Sequence, residues 1–237
     1  MSQIQPKAGG LFIGATVTMT SLIESEEVRA LYPALAEAAG RVGSVQVRNL
    51  ATLGGNSCNA APSADTVPPL IVYKAEAVIS GSAERRCPLE DFFTGPGKSV
   101  LKNGEILKGF QLPPPAEFSA AAFVKHSRRP GMDLATVAVA SGLSLDSQGG
   151  QVAGLRVVLG AVGPTPILVK GLNLTGRSLD NWPPLIKEVC EQAILEARPI
   201  TDVRGSREYR LAMVGESTAA CLEEVIKKLR FANSSSN

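Results

Sequence analysis

The chain has a single histidine, His126, among 237 residues. A Ser-His-Asp hydrolase or a histidine-rich metal site would have to be assembled around that one imidazole, so neither is expected, and no catalytic residue or metal ligand is nominated. The four cysteines, Cys58, Cys87, Cys190 and Cys221, are far apart and form no C-x-x-C pair. That spacing is not a zinc or iron–sulfur ligand set, and it fits reduced thiols in a cytoplasmic protein. No run of about 18 apolar residues exists, so no membrane span is expected. The opening Met1-Ser2-Gln3-Ile4-Gln5-Pro6-Lys7 lacks the apolar core of a signal peptide. Charge is nearly balanced, with 24 basic against 22 acidic residues. No arginine-rich run interleaved with aromatics appears, which argues against a dedicated nucleic-acid binder.

What is present is concentrated in residues 48–65, Arg48-Asn49-Leu50-Ala51-Thr52-Leu53-Gly54-Gly55-Asn56-Ser57-Cys58-Asn59-Ala60-Ala61-Pro62-Ser63-Ala64-Asp65. Glycines such as Gly54 and Gly55 can take φ > 0 and admit a ligand close to the backbone. Successive N–H groups in such a turn would form an anion-binding nest. Thr52 and Ser57 offer hydroxyls, and Asn56 and Asn59 offer amides. Asp65 would repel phosphate and is expected to accept hydrogen bonds from sugar-type hydroxyls. The alternative is a plain Gly-Gly-Asn turn, followed by a helix capped by Ser63 or Asp65.

Around this run the pattern reads as α+β. Residues 11–18 form an expected strand, Thr20 or Ser21 an expected helix cap, and residues 28–39 a helical stretch stopped by Gly40. A helix is expected from about Asp65 to Tyr73. A strand is expected over 77–81, a strand end with a helical turn over 86–93, and a strand over 105–112. Pro113-Pro114-Pro115 then stands as the candidate linker. After it, residues 120–125 read as strand, and residues 134–145 as strand or helix, since small residues suit either. Residues 152–159 read as strand, and 185–196, 206–213 and 216–229 as helices. The tail, 232–237, is expected to be disordered.

A second polar cluster occupies residues 123–133. Lys125, at a strand end facing a cleft, can set a cation beside a cofactor ring. Arg128 or Arg129 paired to Asp133 would instead make a solvated basic hairpin. His126 alternates with Lys125 and should face the other way, so it receives no catalytic role.

Four segments taken together resemble the flavin-binding medium subunit of the molybdenum hydroxylases. Residues 11–18 resemble the family's IGA-x-VT strand, and residues 48–65 its RN-x-AT-x-GGN-x-x-x-A-x-P-x-x-D motif. Residues 123–138 resemble its K-x-x-x-R-x-x-x-D-x-A segment, and residues 200–210 its D-x-RGS-x-x-YR element. The resemblance implies FAD in a PCMH-type subdomain, a mixed sheet with helices, over residues 1–115. A carbon monoxide dehydrogenase flavoprotein C-terminal domain, an antiparallel sheet plus helical bundle, is implied over 116–231. By motif position, Ala51, Thr52, Gly54, Gly55 and Asn56 would line the pyrophosphate and flavin region. Asn59 and Asp65 would bond phosphate, ribityl or sugar hydroxyls. Leu107 would pack on the adenine or flavin side, and Lys125 would sit near the isoalloxazine. Tyr209 and Arg210 would tie the terminal helices together. Family members carry a further subdomain of roughly 60 to 70 residues before the IGA strand, an ordinary size for such a unit. Lys7-Ala8-Gly9-Gly10 is not its glycine-rich motif. A flavin is therefore expected to be clasped here from one side, with the facing surface covered by a partner or another copy.

The function implied is an oxidoreductase subunit. Its FAD would pass electrons from a molybdopterin-binding large subunit and a 2Fe-2S small subunit to an external acceptor. Two alternatives stand beside it: a flavin-free or weakly binding assembly module, and a stand-alone flavin reductase or oxidase.

Overall fold

The computed structural model describes residues 1–129, 131–146 and 150–234, without the side chains of 232–234. The chain opens with a hairpin, β1 (Ile4–Lys7) and β2 (Gly10–Gly14). Five short helices follow: α1 (Met19–Glu24), α2 (Glu26–Leu31), α3 (Pro33–Gly40), α4 (Val45–Leu50) and α5 (Leu53–Cys58). The expected strand over 11–18 thus ends at Gly14. The helix cap is Thr18, whose hydroxyl accepts from Ser21 N, in place of Thr20 or Ser21. Ser25 caps α2 in the same way through Val28 N. The helix expected over 28–39 is broken at Tyr32, because the ring of Pro33 disfavours helical geometry in the residue before it.

Next come α6 (Val67–Val72), β3 (Glu76–Ser80), β4 (Arg85–Pro88), a 3₁₀ turn (Leu89–Asp91), the small hairpin β5 (Phe93–Gly95) with β6 (Lys98–Ser99), and β7 (Ile106–Leu112). Neither Ser63 nor Asp65 caps α6; Thr66 occupies the cap position without a side-chain bond. The first sheet runs β1-β2-β7-β3-β4. All its pairings are antiparallel, so the sheet expected to be mixed is antiparallel throughout.

Beyond residues 113–115 lie β8 (Ser119–His126), β9 (Val137–Leu145), β10 (Val152–Gly160), β11 (Ile167–Leu168), α7 (Pro183–Glu196) and α8 (Arg207–Ser234). The second sheet, β11-β10-β9-β8, is antiparallel too. The two expected terminal helices, 206–213 and 216–229, are one helix, since Gly215 continues α8 without interruption. Its backbone runs on to Ser234; the rest of the tail expected over 232–237 lies outside the described residues.

This second sheet is buried on both faces, and its residues divide accordingly. Ala121, Phe123, Ala138, Ala140 and Val158 join the first core, against α3 and α6. Ala122, Val137, Val139, Leu143, Val157 and Leu159 join the second, against α7 and α8. The α3/α6 face is the small-residue face: a Cβ on Gly142 would stand 2.5 Å from Val72 Cγ1. Burial on both faces removes the apolar–polar alternation that marks a half-exposed strand, which left residues 134–145 ambiguous between strand and helix.

Candidate functional site

The Gly54–Gly55 pair is not a left-handed turn. Gly54 and Gly55 fall in the first turn of α5, and neither has a positive φ. Nor are the amides of that turn free, as a nest would require. Leu53 N donates to Val17 O (2.9 Å) and Gly54 N to Ala15 O (2.8 Å). Gly55 N donates to the hydroxyl of Thr52, the N-cap (3.0 Å). The helix is docked by its N-terminus onto the segment leaving β2, and this docking explains Gly54: a Cβ there would lie 2.6 Å from Ala15 Cβ and 2.7 Å from Ala15 O.

The helical period then sorts the motif into two stripes. Leu53, Gly54 and Ser57 are buried. Thr52, Gly55, Asn56 and Asn59, at the i, i+3, i+4, i+7 positions, lie on the outer side, half-buried or exposed. A Cβ on Gly55 would meet only Thr52 Oγ1, at 2.9 Å, so the backbone is bare between three polar side chains. Ala51 ends α4, and its carbonyl accepts from Met19 N at 2.9 Å.

From this stripe two polar contacts, made by the adjacent residues Thr66 and Asp65, lead toward the second cluster. Asn56 Oδ1 accepts from Thr66 Oγ1 (2.7 Å). The neighbouring Asp65 accepts through Oδ2 from Lys125 Nζ (2.7 Å), and Lys125 Nζ donates also to Arg41 O (3.0 Å). Asp65 and Lys125 are each only 7% exposed at the side chain. Asp65 is therefore not waiting for a sugar hydroxyl through both oxygens: one is taken by Lys125, and Oδ1 is buried without a donor among the described residues. Burial pushes its carboxyl up to about 6, while the Lys125 ammonium pulls the other way.

Lys125 lies on the wall of a cavity of about 620 Å³ between the α3–α4 turn and the end of β8, with Arg41, Ser44, Arg48 and Asp133 around it. A volume of this order suits a small organic group. His126 also borders this cavity, and its ring meets α8, where Nε2 lies 2.8 Å from Tyr209 Oη. Arg128 is the arginine that approaches Asp133, at 3.9 Å. Leu107 sits in β7, 4% exposed within the first core and opposite Ile79. Tyr209 and Arg210 do not tie the terminal helices to each other; both reach from α8 to the second sheet and its flanking loops.

The structure thus brings Thr52, Gly55, Asn56 and Asn59 onto one helix edge and bonds Asn56 to Thr66, whose chain neighbour Asp65 pairs with Lys125. Sequence reasoning missed Thr66 and the Arg41 carbonyl. Thr66 could have been found as a buried hydroxyl beside Asp65, whereas a backbone carbonyl from another helix leaves no sequence signal. The donors fit FAD. Thr52, Asn56 and Asn59 supply neutral hydrogen-bond donors for phosphate oxygens beside a bare glycine backbone, and the cavity at Lys125 has room for a ring.

Comparison with known proteins agrees. Residues 1–115 match the FAD binding domain in molybdopterin dehydrogenase, and residues 122–225 match the CO dehydrogenase flavoprotein C-terminal domain. The chain is 35% identical over 220 residues to the xanthine dehydrogenase FAD-binding subunit of Escherichia coli O157:H7, covering 92% of this chain and 75% of that one. It is 30% identical to the carbon monoxide dehydrogenase medium chain of Hydrogenophaga pseudoflava, over 92% and 76% of the two chains. Among solved structures, the carbon monoxide dehydrogenase from Hydrogenophaga pseudoflava lacking the Mo-pyranopterin moiety superposes with a TM-score of 0.89 at 28% identity, over 95% of this chain and 78% of that one. Quinoline 2-oxidoreductase from Pseudomonas putida 86 gives 0.86 at 30% identity, over 96% and 78%. The chain belongs to the FAD-binding medium-subunit family of the xanthine and carbon monoxide dehydrogenases, flavoproteins of the molybdenum hydroxylase type of oxidoreductase.

Proposed function

We propose that this chain holds FAD on the outer edge of α5 and relays electrons to an external acceptor from molybdenum and 2Fe-2S centres on partner subunits in the cytoplasm. The observation that carries the reading is the polar edge of Thr52, Gly55, Asn56 and Asn59, bonded through Asn56 to Thr66, with the chain neighbour Asp65 paired to Lys125. Relatives named as medium chains or FAD subunits support the partner arrangement, with a molybdopterin-binding large subunit and a 2Fe-2S small subunit. A second copy of the chain is the remaining candidate partner.

Each of these residues has a task the geometry supports. The Thr52 hydroxyl and the Asn56 and Asn59 amides would donate to phosphate oxygens. Gly55 would let them approach the backbone. Asp65 Oδ2 holds the Lys125 ammonium in place, and Lys125 would present positive charge beside the ring, where it favours the reduced flavin. Bound FAD supplies the redox chemistry by taking up and passing on electrons.

The test is an absorbance and fluorescence titration of the purified chain with FAD. Saturable binding with a flavin band is expected, weakened at least tenfold in Asn56→Ala and in Gly55→Val. A protein that stays colourless and unsaturated at about 1 mM FAD, where binding is worth only about −4 kcal/mol, would overturn the reading in favour of an assembly module without flavin. Turnover of a reduced nicotinamide by the isolated chain would point instead to the stand-alone reductase.

A further inference from the structure

The segment from Ile200 to Arg210 is absorbed neither by the helix packing nor by the polar contacts described above. It reaches the second sheet at one place, the end that carries Lys125. Arg128 Nη1 donates to Val203 O (2.8 Å), and Arg204 Nη1 to Ala135 O (3.4 Å). Arg210 is 1% exposed. Its guanidinium donates to Thr136 O (3.2 Å), Ile200 O (2.8 Å) and Ala161 O. Thr136 N in turn donates to His126 O (2.8 Å), and Tyr209 Oη lies 2.8 Å from His126 Nε2. Asp202 holds Arg204 through Oδ2 at 2.6 Å. The exit of β8 and the entry of β9 are therefore both gripped from outside, one residue beyond Lys125.

We infer that Tyr209 and Arg210 are positioning residues for Lys125, acting through His126 and Thr136, and that α8 thereby sets where the Lys125 ammonium stands in the cavity. The inference deepens the flavin reading and rests on it for its consequence, though not for its geometry. Lys125 is held from two independent directions. Asp65 and the Arg41 carbonyl fix its head, while α8 fixes the strand end from which its stem rises. Strand ends fray when their neighbours are a turn and solvent. The β8–β9 connection spans ten residues, 127–136, and Met132 within it is 78% exposed with a left-handed φ of 50°. Val137, opposite His126, packs into the second core, and Arg128 and Arg204 bond across to the segment before α8. The bonds of Tyr209 and Arg210 are the ones that tie this end to α8 itself, and without them the reach of Lys125 to Asp65 would be averaged over several strand positions.

Tyr209→Phe is the decisive variant, since it deletes one oxygen and keeps the ring against His126. Two readouts are taken on the same proteins. The first needs no flavin: the rate at which acetic anhydride acetylates Lys125, read by peptide mass spectrometry. Protection in the wild type and acetylation at least fivefold faster in Tyr209→Phe are expected, with the melting temperature unchanged. The second is FAD affinity in a double-mutant cycle with Lys125→Ala. Tyr209→Phe is expected to weaken FAD severalfold in the wild type and to have no further effect once Lys125 is gone. Unchanged acetylation in Tyr209→Phe overturns the inference, as does an effect on FAD that persists fully in Lys125→Ala. If acetylation responds while Lys125→Ala leaves FAD binding untouched, the positioning stands and the flavin role of Lys125 falls. Arg210→Lys tests the other half of the grip: faster acetylation of Lys125 than in wild type is expected, and an unchanged rate overturns the part assigned to Arg210.

Discussion

The two adjacent glycines do different jobs, and a substitution at each would separate them. Gly54 faces inward, with Ala15 Cβ 2.6 Å from where a methyl would go. Gly54→Ala is expected to cost about 1–3 kcal/mol through overpacking, with a matching fall in the denaturation midpoint. Gly55→Ala points its methyl outward against the Thr52 hydroxyl alone. It should cost less stability than Gly54→Ala, since only the Thr52 cap has to shift, and weaken FAD. If both variants lose only stability, the outer stripe is not the flavin face. Asp65 gives a pH signature with a definite sign. Its carboxyl titrates near 6 in the folded protein, above its ordinary 3.8. The folded state therefore binds this proton more tightly than the unfolded chain. The stabilisation from that proton is complete below about pH 4 and is lost as pH rises through 6, amounting to at most about 3 kcal/mol. Chemical denaturation of wild type and Asp65→Asn across pH 4 to 7 checks this: the wild type should lose stability relative to the variant over that window. Glu105 behaves oppositely, since bonds from Arg85 hold its carboxyl down to about 2. Its contribution is present above about 4.5 and disappears as pH falls through 2.

At the level of elements, short helices are anchored by single caps and by docking rather than by length. α1, α2, α4 and α5 have six residues each and carry Thr18, Ser25, Ser44 and Thr52 as side-chain caps. Helices of that length do not stand alone in water. Thr18→Ala removes the bond to Ser21 N and is expected to cost about 1 kcal/mol, read as a shift in urea midpoint with unchanged slope. The caps were visible in the sequence as hydroxyl residues, but which hydroxyl served was not. Thr18, Thr20 and Ser21 are all competent, and the choice falls to Thr18, which also pairs with Thr52 across an isolated bridge. The strand β9 teaches the converse. Its sequence is legible as buried and small, yet only two helical layers pressing on it, α6 on one face and α8 on the other, fix it as a strand.

For the whole molecule, the relevant question is where one unit ends and the next begins. We propose the boundary at 115/116 as a boundary between sheets, with a core that crosses it. Ala121, Phe123, Ala138 and Val158 pack with Leu35, Leu70 and Ile71 from the other side of the prolines. Lys228 of α8 pairs with Glu37 of α3 at 2.7 Å. Tyr32 holds the proline segment itself, donating to Pro113 O at 2.9 Å. One cooperative unfolding transition is expected, with coincident far-UV and near-UV traces. Two separated transitions would show that the halves are independent. Among the described residues no helix is long and apolar enough to cross a membrane.

The sequence by itself determined the family, the strand and helix inventory of each half in outline, and the residues from which a flavin site could be drawn. These are carried by local chemistry: residue types at fixed spacing, prolines that stop elements, hydroxyls that cap them. Only the tertiary structure decided how those residues are used. It turned the Gly54–Gly55 pair from an expected nest into two faces of a helix, because the amides of its first turn are taken up by Ala15, Val17 and Thr52. It spent one oxygen of Asp65 on Lys125, sixty positions away, because both are buried and neither charge is stable there unpaired. Hydrogen-bond partners contributed by backbone carbonyls or by distant segments have no local signature, and they settle which polar groups remain to meet a ligand.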